Sequence, residues 1–167
     1  RAKISLEIIN SYADGDLRKQ AFYRLSNGAY AQRGSYSGET IPFGGLATDE
    51  VYLVRAESYA RAGRLEAAMD DVNTLLKMRW DKRKSFIPYT ANTKEAAINV
   101  VLLERRKELT LRGLRWSDIK RLNKEGRGIS LSRTINGVTY TLPANSARFA
   151  NPIPEGVINA SGMAQNQ

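Results

Sequence analysis

The stretch Glu50-Val-Tyr-Leu-Val-Arg-Ala-Glu-Ser-Tyr-Ala-Arg-Ala-Gly63 decides the fold. Its apolar residues Val51, Tyr52, Leu53, Val54, Ala56, Tyr59 and Ala60 recur at helical spacing. Thr48 or Asp49 is expected to cap this helix, and Asp49 and Glu50 suit the positive end of its dipole. Gly63 stands where a left-handed residue would end it. A second helix is predicted over 65–79, with Ala67, Ala68, Met69, Val72, Leu75 and Leu76 as its buried face. Only Gly63-Arg64 separates the two, so they must fold back as an antiparallel pair. Within the first helix, Tyr52, Arg55, Ala56 and Tyr59 follow the tetratricopeptide spacing, with Arg55 the one departure. Ala68 and Val72 take the small and the larger apolar positions of the partner. Ala56 and Ala68 then let the helices approach closely, while Tyr52 and Tyr59 fill the groove between pairs.

Downstream, a loop carries Phe86, Pro88 and Tyr89, and Thr93 opens the longest helical stretch, through Ala97, Val101, Leu102 and Leu109 towards Arg112. Gly113 interrupts it, and a shorter helix is predicted over 115–123. This second pair fits the repeat only loosely. Upstream, residues 4–9 suit a short helix, and Asp14-Gly15-Asp16 reads as a turn with Asp16 as a candidate N-cap for a second short turn. Residues 22–45 read as loop with one or two short strands. Near the end, Asn136-Gly137 between 131–135 and 138–142 is the strongest short-range hairpin signal. A two-residue turn pairs Ile135 with Val138, Arg133 with Tyr140 and Leu131 with Leu142, all on one face expected to lie on a larger core. Pro152 and Pro154 force an extended tail.

The fold class that follows is mainly α: tetratricopeptide-like antiparallel helix pairs with a carboxy-terminal β-hairpin and long loops. Its segments are 1–47, a short helix plus irregular chain; 48–80, the first pair; 93–124, the second; and 129–167, hairpin and extended tail. With 167 residues the chain fits one domain, or a piece of a larger one. It contains no Cys and no His, so disulfides, thiol nucleophiles, Ser-His-Asp triads and His- or Cys-ligated metal are excluded within it. Carboxylate-only catalysis stays open. The net charge of +9 suits either an anionic partner or ordinary solvated helix faces. The basic run over 105–127 alternates with acids and apolar residues and carries no nucleic-acid signature, so no nucleic acid is expected. No apolar run approaches the roughly 20 residues of a membrane span. No leader follows Arg1, so any export signal or anchor is expected upstream.

Three motifs together resemble the SusD/RagB-like outer-membrane proteins of Bacteroidetes. The first is the stretch 50–63. The second is Leu103-Glu-Arg-Arg-Lys-Glu-Leu109 followed by Gly113-Leu-Arg-Trp-Ser-Asp-Ile-Lys-Arg121. The third is Pro152-Ile-Pro154, then Val157-Ile158-Asn159 and Gln165-Asn166. They stand in the family's order and cover about two thirds of the chain. Arg112 and Ser117 depart from it, standing where an acid and an aromatic are common. The resemblance implies the carboxy-terminal, scaffold part of an α/α superhelix. It also implies a parent lipoprotein at the outer-membrane surface that captures oligosaccharide or another nutrient without catalysis. The implied partner is a SusC-like TonB-dependent transporter, with membrane contact only through a lipid anchor absent from this chain and with no cofactor. A protein–protein scaffold with no ligand of its own is the alternative.

Among chemical candidates, Glu104 and Glu108 share a helix face, but a di-metal site needs a His that the chain lacks, so no metal is expected. Lys107, Arg105 and Arg112 stand close enough in sequence to pair with these acids. Arg55 and Glu57 are candidate inter-helix glue. Gly113, Arg115, Trp116 and Asp118 are motif residues, with Trp116 expected to pack beside Leu114, Ile119 and Leu122. Sugar binding calls for aromatic faces and polar edges. The loop aromatics Tyr36, Trp80, Tyr30, Phe86 and Tyr89 supply them, unless they serve instead as lids on small cores.

Overall fold

In the computed structural model, which describes residues 4–166, the deciding stretch is helix α3, Thr48–Arg61, and its partner is α4, Leu65–Lys77. Between them Gly63 has φ +78°; its N–H bonds the Ala60 carbonyl and the Arg64 N–H bonds that of Tyr59. That pair of bonds ends a helix on a left-handed residue, which a Cβ would disfavour. Leu53, Ala56, Ala60 and Ala68 are fully buried, so the antiparallel pair closes on small side chains. The start of α3 differs from expectation. Ala47 holds the N-cap position with no side-chain bond, and Asp49 is buried because its carboxylate is taken by Arg112. Val51 and Val54, expected on the apolar stripe, are 61% and 50% exposed. They lie on the flank opposite Leu53 and Ala56, where helical period places them.

Helices α1 (Leu6–Asn10) and α2 (Arg18–Phe22) precede this pair, followed by strands β1 (Tyr23–Ser26) and β2 (Ala29–Gln32). Ser5 caps α1 by accepting the Glu7 N–H. Asp16 is not the N-cap of α2: Leu17 occupies that position, and the Asp16 carboxylate binds the Arg18 side chain instead. β1 and β2 pair antiparallel about Asn27-Gly28, with Ser26 opposite Ala29. Helix α5, Lys94–Glu108, starts at Thr93, whose hydroxyl accepts the Ala96 N–H at 3.1 Å. It packs on both α3 and α4.

The chain divides into two compact units, Arg1–Leu114 and Arg115–Gln167. The first has a helical core of Ala56, Ala60, Ala68, Met69, Val72, Leu76, Ala97, Ile98 and Val101. Burying a side chain the size of Val or Leu contributes about 1.5–3 kcal/mol. A second cluster, Ile8, Ile9, Tyr12, Phe22 and Tyr23, ties the short helices to the first hairpin.

The second unit holds α6 (Arg115–Lys124), strands β3 (Leu131–Ile135) and β4 (Val138–Leu142), and α7 (Glu155–Ser161). The β3–β4 register is the expected one, Ile135 opposite Val138, Arg133 opposite Tyr140 and Leu131 opposite Leu142. Its shared face is not laid on a core, however: Ile135, Val138 and Tyr140 are about half exposed. A turn sets register locally, whereas what covers a face is a long-range matter. The tail is extended only through Pro154; α7 then forms and ends at Gly162, φ +67°. None of its residues is buried, so it carried no apolar period to read. Beyond it, Gln165 returns to the extended segment, accepting the Ile153 N–H at 2.7 Å and donating to its carbonyl at 2.9 Å. Among the described residues no helix is long and apolar enough to cross a membrane.

Candidate functional site

The most polar part of the first unit's interior centres on Arg18, which is 2% exposed. Its Nε and Nη2 donate to the two oxygens of Asp16 at 2.9 and 2.6 Å. Nη2 also donates to Glu104 Oε2 at 2.6 Å, and Nη1 to Glu108 Oε2 at 3.0 Å. Lys107 Nζ donates to Glu104 Oε1 at 2.7 Å, and Arg79 Nε to Glu108 Oε1 at 2.8 Å. Three carboxylates thus meet three cations. Burial pushes the Asp16 carboxyl up, but the hydrogen bond and charge of Arg18, helped by Lys107, hold it below its ordinary value. Burial likewise pulls Arg18 down, and the bonds and charges of Asp16, Glu104 and Glu108 more than reverse this. Tyr12 lies against both cations and donates to the Lys107 carbonyl. Its phenol is driven far above the ordinary value, chiefly by burial.

These contacts revise the pairing read from sequence. Glu108 is held by Arg18 and Arg79 from other elements, not by Arg105 or Arg112 on its own stretch. Arg105 instead reaches Glu50, and Arg112 reaches Asp49 and Glu50. The two glutamates are engaged on both oxygens, Glu108 by arginines and Glu104 by Arg18, Lys107 and the Tyr89 hydroxyl at 3.4 Å. Among the described residues no group of three acidic side chains is placed to hold a metal ion.

Beside this network lies a groove of about 490 Å³. Asp16 and Lys107 reach its lining from the network, and Trp80, Phe86, Ile87 and Tyr89 form its aromatic and apolar wall. Trp80 and Phe86 meet edge to face at 5.3 Å. The Trp80 indole N–H donates to the Ser85 carbonyl at 3.2 Å, and the Asp81 N–H to the Gly15 carbonyl at 2.9 Å. Asn73 grips Tyr89 at both backbone groups, at 2.8 and 2.9 Å. The loop is therefore fastened to α4 and to the Gly15 turn. Gly15 is required there: a Cβ would lie 2.3 Å from Trp80 Cε2. Neither Gly15 nor Asn73 stood out in the sequence. Asp14-Gly15 reads only as a turn, and an Asn within a helix carries no positional signal.

The other two aromatics lie elsewhere. Tyr36, 45% exposed, packs on Phe43 at 5.0 Å, and the Arg112 guanidinium lies against both rings. Tyr30 adjoins the Tyr12 cluster, with Lys19 over its ring. Three of the five candidates thus share one groove and two do not. Among the motif residues, Arg55 rests against the Tyr52 ring and bridges α3 to α4 by two bonds to Asp71, at 2.8 and 2.6 Å. Glu57 binds Arg61 one turn on, Arg64 covers Tyr59, and Ala56 is fully buried. Gly113 has φ +77°. In the second unit, Trp116 stacks on Phe149 at 4.9 Å and donates to its carbonyl, while Asp118 binds Arg121. Arg115 opens α6.

The sequence model of the SusD family matches residues 9–167, and the chain belongs to that family. Among solved structures, it resembles a SusD-like carbohydrate binding protein from Bacteroides vulgatus ATCC 8482, with a TM-score of 0.63 and 22% identity over 96% of this chain. A SusD superfamily protein from Bacteroides fragilis NCTC 9343 is similar at a TM-score of 0.63 and 18% identity over 98% of this chain. Identities this low speak for the fold alone. The chain spans 40% of the length of each. No curated protein matches it by sequence.

Proposed function

We propose that the protein carrying this chain captures carbohydrate, or another nutrient of similar chemistry, without transforming it. The observation that carries this reading is membership of the SusD family along 9–167, next to a solved relative described as carbohydrate binding. Capture would occur at the outer-membrane surface, in partnership with a SusC-like TonB-dependent transporter. Most of residues 4–166 serve as scaffold: the most extensive helix packing joins α3, α4 and α5, and the charged interior cross-links distant elements. The same interior supports a non-catalytic role, because Glu104 and Glu108, the pair with the spacing for acid–base work, are both committed to fixed cations. A general acid or base must exchange a proton with substrate, and a carboxylate locked between guanidinium groups is poorly placed for that.

A protein–protein scaffold without ligand is favoured by one specific feature, the exposed Val51 and Val54 on the outer flank of α3. Calorimetric titration of the full-length protein with neutral and acidic oligosaccharides separates the two. Saturable binding without hydrolysis supports capture; no binding to any of them supports the scaffold. Turnover of any glycan that disappears in Glu104→Gln would overturn the non-catalytic reading.

A further inference from the structure

We propose that the groove between the Gly15 turn and the Trp80–Tyr89 loop is a subsite for one neutral sugar residue. The inference rests on the capture reading above and assigns it a place in this chain. Three properties of the groove select the ligand. Its volume of about 490 Å³ lies within the range of small-molecule sites, roughly 300–1,000 Å³. Its wall is aromatic and apolar, with Trp80, Phe86 and Ile87, and Ile87 stands 83% exposed at the rim. Its charged groups cancel, Asp14 and Asp16 against Lys84 and Lys107, and Asp14 pairs directly with Lys84.

A charged ligand would meet no net attraction in such a lining and would lose hydration on entry. A wholly apolar ligand would bury the Asp14 and Lys84 edge without replacing the water bonds of those groups. A pyranose meets both requirements, since its C–H face is apolar and its equatorial edge carries hydroxyls that donate and accept. The C–H face lies on the Trp80–Phe86 wall, and the hydroxyl edge meets Asp14 and Lys84, whose side chains both reach solvent.

The wall is also built in advance. Trp80 is seated on Gly15 and bonded to Ser85, and Tyr89 is gripped at both backbone groups by Asn73. Aromatic loops that serve only as lids gain little from such fastening, whereas a binding wall gains affinity by having its ordering cost met in the folded protein.

The test is calorimetry on the full-length protein with short neutral oligosaccharides of gluco, manno, galacto and xylo configuration, and with an oligouronate. Trp80→Ala should weaken the best neutral ligand about tenfold or more, equivalent to about 1.4 kcal/mol, and Trp80→Phe should weaken it less. Because Trp80→Ala removes packing against Gly15, Ile87→Arg at the exposed rim provides a variant that leaves the fold intact. It should weaken binding at an unchanged melting temperature. Tyr140→Ala on the second hairpin should leave affinity unchanged. Undiminished binding in both Trp80→Ala and Ile87→Arg overturns the subsite and leaves capture standing. Tighter binding of the oligouronate, lost in Ile87→Arg, overturns the neutral assignment. Failure of the wild type to bind any of the panel overturns the subsite together with the capture reading.

Discussion

Arg18 and Glu104 stand 86 residues apart in sequence and meet at 2.6 Å, both almost wholly removed from solvent. Through this contact the short helix α2 is keyed to the last turns of α5. Removing one member of a buried ion group leaves its partners desolvated and uncompensated, which typically costs about 3–5 kcal/mol. Arg18→Met should therefore lower stability by about that amount, since it removes the one cation that bridges Asp16, Glu104 and Glu108. Urea unfolding followed by circular dichroism measures it. A loss under about 1 kcal/mol would show that the network is far wetter than the structure depicts.

Acid should dismantle the same network from the carboxylate side. Asp16 has a folded-state pKa below its ordinary value of 3.8, so the unfolded chain binds more protons in the window between the two. Stability then rises with pH through that window. The contribution is fully present above the ordinary value and is lost as pH falls through the folded one. Asp16→Asn should flatten the acid limb of a melting-temperature profile below about pH 4. It should also lower stability at neutral pH, because Arg18 loses two of its charged bonds. An acid limb of unchanged slope would remove Asp16 from the account.

The sequence disclosed what depends on neighbours and concealed what depends on distance. Gly63, Thr93 and Asn136-Gly137 act through bonds a few residues long, and each does what its position suggests. Asn27-Gly28 makes the same kind of turn, yet its strands are only four residues each and do not alternate cleanly, so the hairpin was legible only as short strands. Helix α7 buries nothing and so leaves no period. The charged residues were the hardest. Glu108 has Arg105 and Arg112 at helical spacing, yet Arg18 lies 90 residues away and takes the bond. Of the candidate groove, Trp80, Phe86 and Tyr89 were visible as loop aromatics. Their union required the turn at Gly15, which lies far from them in sequence.

The close approach of α3 and α4 should make Ala56 intolerant of bulk. Both Ala56 and Ala68 are fully buried in the same cluster. Ala56→Leu should destabilise by about 1–3 kcal/mol, the usual cost of overpacking a filled core. Val51→Ser on the exposed flank of the same helix should change stability by less than about 0.5 kcal/mol. A larger loss in thermal unfolding would reveal that this flank is covered in solution.

Arg112 tests what fastens the chain before α3 to the end of α5. Its Nη1 donates to Asp49 at 2.9 Å and its Nη2 donates to the Gly45 carbonyl at 2.9 Å. Its guanidinium lies 5.5 Å from the Tyr36 ring centre and 5.1 Å from that of Phe43, so it also anchors the loop that carries both rings. Placing an acid there by Arg112→Glu would set three carboxylates side by side, the new one with Asp49 and Glu50. It should be more damaging than Arg112→Ala, which leaves only Asp49 uncompensated. The double variant Arg112→Ala with Asp49→Ala should recover part of the loss, with a coupling of about 0.5–3 kcal/mol in a double-mutant cycle. Thermal unfolding of the four proteins decides the matter. Strict additivity would mean that the ion pair is bystander to the stacked rings, and that Tyr36 and Phe43 alone hold the loop in place.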